Sequence, residues 1–227
     1  MRDGVRGRDG GRGGDGGRGG GRGTAIAGAL LCAALVLGCG QPEAAGGGPG
    51  GGGGGGAPAR AEGAADAAAA RAAFLAVYPV FMHPRCLNCH PAGDVPLQGD
   101  DGRLHAQNVK RGPEGKGKYA LKCAACHQDA NLPGANMPPG NPSWHLPPPE
   151  MRMVFQGLTA RELADQLKDP KRNGGKTLEQ LVHHVSEDPL VLWGWNPGDG
   201  RAPPPLAHAE FVARFKEWVE KGAASPE

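Results

Sequence analysis

Two copies of one five-residue pattern constrain this chain more than any other feature of its sequence. Residues 86–90 read Cys-Leu-Asn-Cys-His, and residues 123–127 read Cys-Ala-Ala-Cys-His. Both have the form C-x-x-C-H, the attachment signature of c-type haem. Two thiols at this spacing can each add across one vinyl group of a haem, and the next histidine then ligates the iron. The pattern predicts two haem c groups, with Cys86, Cys89, Cys123 and Cys126 as attachment residues and His90 and His127 as proximal ligands.

The four cysteines also have two other interpretations. Without the histidines they read C-x-x-C…C-x-x-C, a pattern that can bind zinc. The 33 residues between Cys89 and Cys123 exceed the usual spacing of about 15–20 residues, and a zinc ribbon gives no reason for a histidine after both pairs. Structural disulfides or a redox dithiol are the second alternative in an oxidising compartment. The repeated histidine favours haem over both.

The N-terminal sequence predicts export. Residues 1–23 are almost only Gly, Arg and Asp, a composition typical of disorder. The apolar run over residues 24–38 follows Arg22 and is typical of a secretory signal peptide. It ends in Leu-Gly directly before Cys39, which is similar to the lipobox of bacterial lipoproteins. We therefore expect a lipid anchor on Cys39 at the periplasmic face of the membrane, the alternative being cleavage nearby that leaves a soluble periplasmic protein.

Composition limits the part of the chain that can fold. Of 41 glycines, 25 precede Ala57, so residues 1–38 are expected to be a disordered tract with a signal peptide, and residues 39–59 a Gly-rich linker. Residues 60–227 are expected to form the di-haem domain. Aromatic residues make up only 5% of the chain, so two buried haems would supply much of the apolar volume of a thin core. From Cys39 onward, 19 Lys and Arg balance 20 Asp and Glu, and this near-neutral charge argues against nucleic-acid binding.

The apolar periodicity predicts a mainly α fold. The second and third of four predicted helices begin at capping boxes, which open at Thr159 and Thr177. Pro79 and Pro84 are expected to end the first helix before the first motif. We therefore expect cytochrome c-like helices with long Gly- and Pro-rich loops around two covalent haems. The predicted helices cover residues 62–77, 160–168, 178–186 and 209–221.

The sixth ligand of each iron is expected to be a His or Met in an electron carrier. His105 lies between the two motifs and could reach either iron. On the helix predicted over residues 178–186, His184 falls beside the apolar stripe whereas His183 points away from it. Met137 precedes two prolines and resembles the Met-Pro ligand loops of class I cytochromes c, although it follows His127 by only ten residues. His105, His184 and Met137 are therefore the distal candidates.

A basic stretch precedes the second motif. It could steer an acidic redox partner toward the second haem, and the alternative is an ordinary solvated loop. Its members are Lys110, Arg111, Lys116, Lys118 and Lys122.

Residues 81–227 resemble a group of small bacterial di-haem c-type cytochromes that are often labelled "isoquinoline 1-oxidoreductase subunit". The resemblance implies that the protein accepts electrons from a molybdenum hydroxylase. No molybdopterin site is evident in these residues, and the chain is too short to be the catalytic subunit. The matching segments are FMHPRCLNCHPAGDVPLQGDD, CAACH, QLKDPKRNGGK and HVSEDPLVLWGWNPGDGR.

These observations together predict an exported carrier of single electrons rather than a self-contained enzyme. Its expected partner is another redox protein, either a molybdenum hydroxylase or a second cytochrome. The main alternative is a di-haem enzyme that resembles bacterial cytochrome c peroxidases and keeps one iron open. A zinc-binding module is the remaining alternative.

Overall fold

A computed structural model of the protein describes residues 57–227. The predicted disordered tract, the signal peptide, the candidate lipidation residue Cys39 and most of the linker lie outside the described residues. The described part of the chain is 41% helical with little strand, which is consistent with the predicted mainly α class. The helices are α1 (Ala57–Phe81), α2 (Pro84–Leu87), α3 (Ala160–Lys168), α4 (Leu178–Glu187), α5 (Pro189–Trp193) and α6 (His208–Glu220).

The strands in this part of the chain form two short antiparallel hairpins. In the first, β1 (Leu97–Gln98) pairs with β2 (Arg103–Leu104), and in the second, β3 (Gly117–Lys118) pairs with β4 (Leu121–Lys122). Single 3-10 turns cover Pro113–Gly115 and Cys123–Ala125. Each hairpin lies next to a residue of a candidate site, since β2 leads directly into His105 and β4 into Cys123.

Helix α1 runs through a proline that was expected to end it. Its alanine-rich sequence favours helix, and Pro79 lies inside the last turn of the helix. The prediction of an end at Val77 is wrong because Val80 and Phe81 are both buried in the core, at 0% and 5% exposure. Their burial offsets the single backbone hydrogen bond that the proline ring removes.

The centre of the core is an aromatic contact between α1 and α6. The ring centroids of Phe74 and Trp218 are 4.8 Å apart, and Phe81 lies 5.4 Å from Phe211 and 5.9 Å from Phe215. By length and composition alone, residues 60–81 could also cross a membrane. The fully buried side chains on the face toward α6 identify this segment as a core helix of the described domain.

Helices α3 and α4 begin where the capping boxes predict. Thr159 and Thr177 each accept a hydrogen bond from the third helical backbone N–H, and the Glu162 and Gln180 side chains reciprocate. Both helices add apolar residues to the core, among them Leu163 and Leu181. His83 caps α2, because its Nδ1 accepts a hydrogen bond from the backbone N–H of Arg85.

Candidate functional sites at the two C-x-x-C-H motifs

The first motif, here called site one, consists of Cys86, Cys89 and His90. Helix α2 carries Cys86, and the turn after it carries Cys89 and His90. All three residues are partly buried and line a cavity of about 390 Å³. The apolar surroundings raise the pKa of Cys86 to about 12 and that of Cys89 to about 11. Both side chains are therefore uncharged thiols at neutral pH.

The imidazole of His90 is held in one orientation by two contacts. Its Nδ1 lies 2.6 Å from the carbonyl oxygen of Met153, and its ring stacks on Phe155 with centroids 3.9 Å apart and planes 8° apart. Because a carbonyl can only accept, Nδ1 carries the proton and Nε2 keeps a free lone pair. The backbone of Met153 is in the left-handed region, with φ of 46°. Residues other than glycine adopt this conformation only where the surrounding structure holds them in it. Burial lowers the pKa of His90 to about 4, so the ring is in the neutral form that binds metals.

The second motif, here called site two, consists of Cys123, Cys126 and His127, and it repeats this arrangement with different residues. The Nδ1 atom of His127 lies 2.7 Å from the carbonyl oxygen of Pro139. Its ring stacks on Trp144, with centroids 4.3 Å apart and planes 9° apart. Burial lowers the pKa of His127 as well. In both sites, a backbone carbonyl therefore fixes the tautomer that metal-ligating histidines use.

Sequence reasoning missed these four supporting groups. The carbonyl groups of Met153 and Pro139 belong to the backbone, so no residue type in the sequence marks them. Phe155 and Trp144 do not follow a periodic pattern that would mark them, because both lie in the irregular segment between residues 126 and 159. Only the fold brings them to the histidines.

His105 lies beside the ring of His127. Its backbone N–H donates to Pro96, which closes the β1–β2 hairpin and places the ring. The two imidazole centroids are 6.4 Å apart, with planes at 61°. A metal–imidazole bond is about 2 Å long and a ring nitrogen lies about 1.1 Å from the ring centre, so two imidazoles that bound one metal ion from opposite sides would have centroids about 6.2 Å apart. The Nδ1 atom of His105 is buried and has no hydrogen-bond partner, as expected of an atom whose partner is a bound group.

Helix α4 brings His184 to the cavity of site one. His184 lines the cavity with Leu181 and Val185, while its Nδ1 lies 3.2 Å from a carboxylate oxygen of Asp188. Burial lowers the pKa of His184, and its nearby charge contributes to the lowered pKa of His90. The neighbouring His183 has a side chain that is 71% exposed, so the two histidines face the directions that helical periodicity predicts.

Met137, the third distal candidate, is 42% exposed in the loop after site two. Its carbonyl oxygen accepts a hydrogen bond from Arg201, and its side chain does not line the cavity of site one. Of these two candidates, His105 is the one whose ring lies against the ring of His127.

The four motif cysteines do not converge on one point. Among residues 57–227 all four are free, and no three His, Cys, Asp or Glu side chains form a cluster that could hold a metal ion.

Arg111 does not belong to the solvent-exposed basic stretch. It is 1% exposed, and its guanidinium donates hydrogen bonds to the carbonyl oxygens of Pro147 and Gly93. Both interpretations of the stretch placed this residue at the surface, and for Arg111 that prediction is wrong because the side chain joins two loops. The exposed members are Lys110, Lys116, Lys118 and Lys122.

Comparisons of the chain with family models, with curated proteins and with solved structures found no match.

Proposed function

We propose that this protein is an exported di-haem c-type cytochrome that carries single electrons between redox proteins. The observation that carries the proposal is the repeated setting of the two motif histidines. Each donates Nδ1–H to a backbone carbonyl, lies flat on an aromatic ring and keeps Nε2 free. Two unrelated sets of residues thus prepare the same ligand atom directly after a C-x-x-C pair, as c-type attachment requires.

The residues of site two fit a haem with two histidine ligands. Cys123 and Cys126 would hold the vinyl edge, His127 would bind one side of the iron, and His105 the other. The centroid separation of 6.4 Å and the unpartnered buried Nδ1 of His105 support this pair. A covalently bound haem supplies an iron that alternates between the ferrous and ferric states by gaining or losing one electron.

The residues of site one fit a second haem in the cavity. Cys86 and Cys89 would form its thioethers, with His90 as the proximal ligand and His184 as the distal ligand. The Asp188 carboxylate accepts from Nδ1 of His184 and thereby leaves Nε2 directed to bind metal, which is the usual support of a metal-binding histidine. The walls contributed by α1, α4 and α6 would exclude water from most of the ring.

Two histidine ligands on each iron leave no position for a substrate, so the arrangement favours electron transfer over catalysis. The predicted signal peptide and the lipobox-like Cys39 would place this carrier at the periplasmic face of the membrane. Its packed α1 and α6 would correspond to the terminal helices of cytochrome c domains. The expected partner is a redox protein, with a molybdenum hydroxylase implied by the resemblance.

Spectroscopy of the exported, haem-loaded protein tests this function. We expect a ferric electron paramagnetic resonance spectrum with two low-spin species, reversible one-electron reduction of each haem, and no turnover of hydrogen peroxide. A high-spin ferric species that binds and reduces peroxide would contradict the carrier and favour the peroxidase-like alternative. His183→Ala is a matched control, since it removes an exposed histidine beside His184 and is expected to leave both low-spin signals unchanged.

A further inference from the structure

A continuous contact between aromatic rings connects site two with the cavity of site one. The imidazole of His127 stacks on the indole of Trp144 at 4.3 Å. The Trp144 indole in turn meets that of Trp193 edge to face, with centroids 4.8 Å apart and planes at 85°. Trp193, on α5, lines the cavity that also contains His90. Two indoles therefore span the distance from one candidate ligand to the other candidate haem pocket.

Hydrogen bonds hold the Trp193 end of this contact in place. The side-chain oxygen of Asn131 accepts from Nε1 of Trp193 at 2.9 Å and from the backbone N–H of Gly140 at 3.0 Å. Gly140 follows directly after Pro139, the residue whose carbonyl holds His127. The orientation of Trp193 is thereby tied to the same loop that orients the ligand of site two.

A second amide fixes the helix that carries Trp193. The side-chain N–H of Asn141 donates to the carbonyl oxygen of Pro189, the first residue of α5, at 2.9 Å. Asn141 is only 9% exposed, and its oxygen accepts from the backbone N–H of Ser143, next to Trp144. The loop that carries Trp144 is therefore hydrogen-bonded to the helix that carries Trp193, and the two indoles meet where the loop and the helix join.

We propose that Trp144 and Trp193 form the route by which an electron passes between the two haems. This inference rests on the proposed function. In the transfer, the ferrous haem of one site would become ferric and the ferric haem of the other site would become ferrous. No bond breaks and no proton moves. The indoles remain unoxidised and provide packed π-electron atoms through which electronic coupling passes better than across a gap.

The chain offers a matched control in Trp195. This residue lines the same cavity, but its indole packs on His208 at 4.7 Å and on Phe211 at 5.4 Å. Its Nε1 donates to the carbonyl oxygen of Leu206. Trp195→Leu therefore removes the same side-chain volume from the same cavity without interrupting the contact between Trp144 and Trp193.

Pulse radiolysis of the oxidised, haem-loaded protein measures the route. A pulse reduces one haem, and the optical change that follows reports the redistribution of the electron within the chain. We expect Trp144→Leu and Trp193→Leu each to slow this step, because each substitution opens a gap in the packed contact between the sites. Trp195→Leu is expected to leave the rate of this step unchanged, because the contact between Trp144 and Trp193 stays intact. Trp144→Phe and Trp193→Phe, which keep an aromatic ring, are expected to recover part of the rate.

A second readout separates a route from a general loss of structure. All variants are expected to keep two haems, and only Trp144→Leu should shift the electron paramagnetic resonance signal of the site-two haem, because His127 loses its stacking partner. Equal rates in all variants would overturn the route and favour direct transfer from one haem edge to the other. Equal slowing in Trp195→Leu would also overturn it. Wild-type protein without two haems would instead contradict the proposed function.

Discussion

Site one and site two hold their histidines by the same two contacts, a backbone carbonyl and an aromatic ring, but site one is buried among helices and site two is more exposed. Site one opens into a cavity whose walls come from the core helices, including Phe81 of α1, Leu181 of α4 and Phe215 of α6. Site two is built from loops and a hairpin, and Cys126 is exposed close to a hairpin whose Tyr119 is 91% exposed. The histidine of each motif is thus oriented by a backbone carbonyl in the same way, whereas the surroundings of each site determine how much water a bound group would meet.

This difference predicts an order of reduction potentials. The ferric form of a haem carries one more positive charge than the ferrous form, and burial disfavours the more charged form. The haem of site one is therefore expected to have the higher potential, so that electrons enter at exposed site two and reside longer on site one. Spectroelectrochemistry with one ligand variant per site assigns the two potentials, and a higher potential at site two would contradict this order.

The largest expected effect comes from removing each haem in turn. Cys86→Ala with Cys89→Ala should leave the core cavity of about 390 Å³ poorly filled and cost more than about 5 kcal/mol, comparable to the whole stability of a small domain. Cys123→Ala with Cys126→Ala should give a folded protein with one haem. Haem content and far-ultraviolet circular dichroism during denaturation are measured for both double variants. An equal loss of stability in the two would contradict the greater burial of site one.

A smaller contrast is expected between the polypeptide surroundings of the two sites. Phe215 is fully buried against Phe81 and Trp218, so Phe215→Ala should destabilise the protein by about 3–5 kcal/mol. Tyr119→Ala should change stability by less than about 0.5 kcal/mol, because the exposed side chain loses little packing. Chemical denaturation gives both values, and a large effect of Tyr119→Ala would show that the site-two loops are packed more tightly than their exposure indicates.

The distal ligands provide a contrast confined to single haems. His184→Met should raise the potential of the site-one haem only, and His105→Met that of the site-two haem only, because methionine favours ferrous iron more than histidine does. Met137→Leu serves as the control and should leave both potentials unchanged. A shift in both haems from one substitution would contradict the assignment of one distal histidine to each site.

A further contrast is expected between the two helix caps. Thr159→Ala and Thr177→Ala each remove the capping hydrogen bond from the third helical N–H and should each cost about 1 kcal/mol. Only α4 carries a proposed ligand, so Thr177→Ala alone should alter the spectrum of the site-one haem. Thermal denaturation followed by circular dichroism gives the stability change, while an unchanged spectrum in both variants would show that the cap does not position His184.

Local rules in the sequence were enough to predict much of the helical frame. The capping boxes at Thr159 and Thr177 define the start of α3 and α4 because their hydrogen bonds lie within one turn. Helical periodicity likewise separated His184 from His183. The end of α1 was missed because the burial of Phe81 depends on α6, more than a hundred residues later in the chain.

The supports of the candidate sites could not be predicted for the same reason. His90 and the carbonyl of Met153 are 63 residues apart in sequence, and a backbone acceptor leaves no mark on residue type. Arg111 was grouped with neighbouring lysines by charge, although two carbonyl oxygens draw it into the interior. The motif marks the candidate histidine, and only the folded chain supplies the atoms that orient it.

The most direct test of the account is the number of covalent haems on each chain. The full chain would be exported from a host that matures c-type cytochromes, denatured, and measured by its pyridine haemochrome spectrum and its intact mass. The account predicts two haems that stay attached after denaturation, one lost with each pair of cysteine substitutions. A chain with no covalent haem, or with zinc in its place, would contradict it.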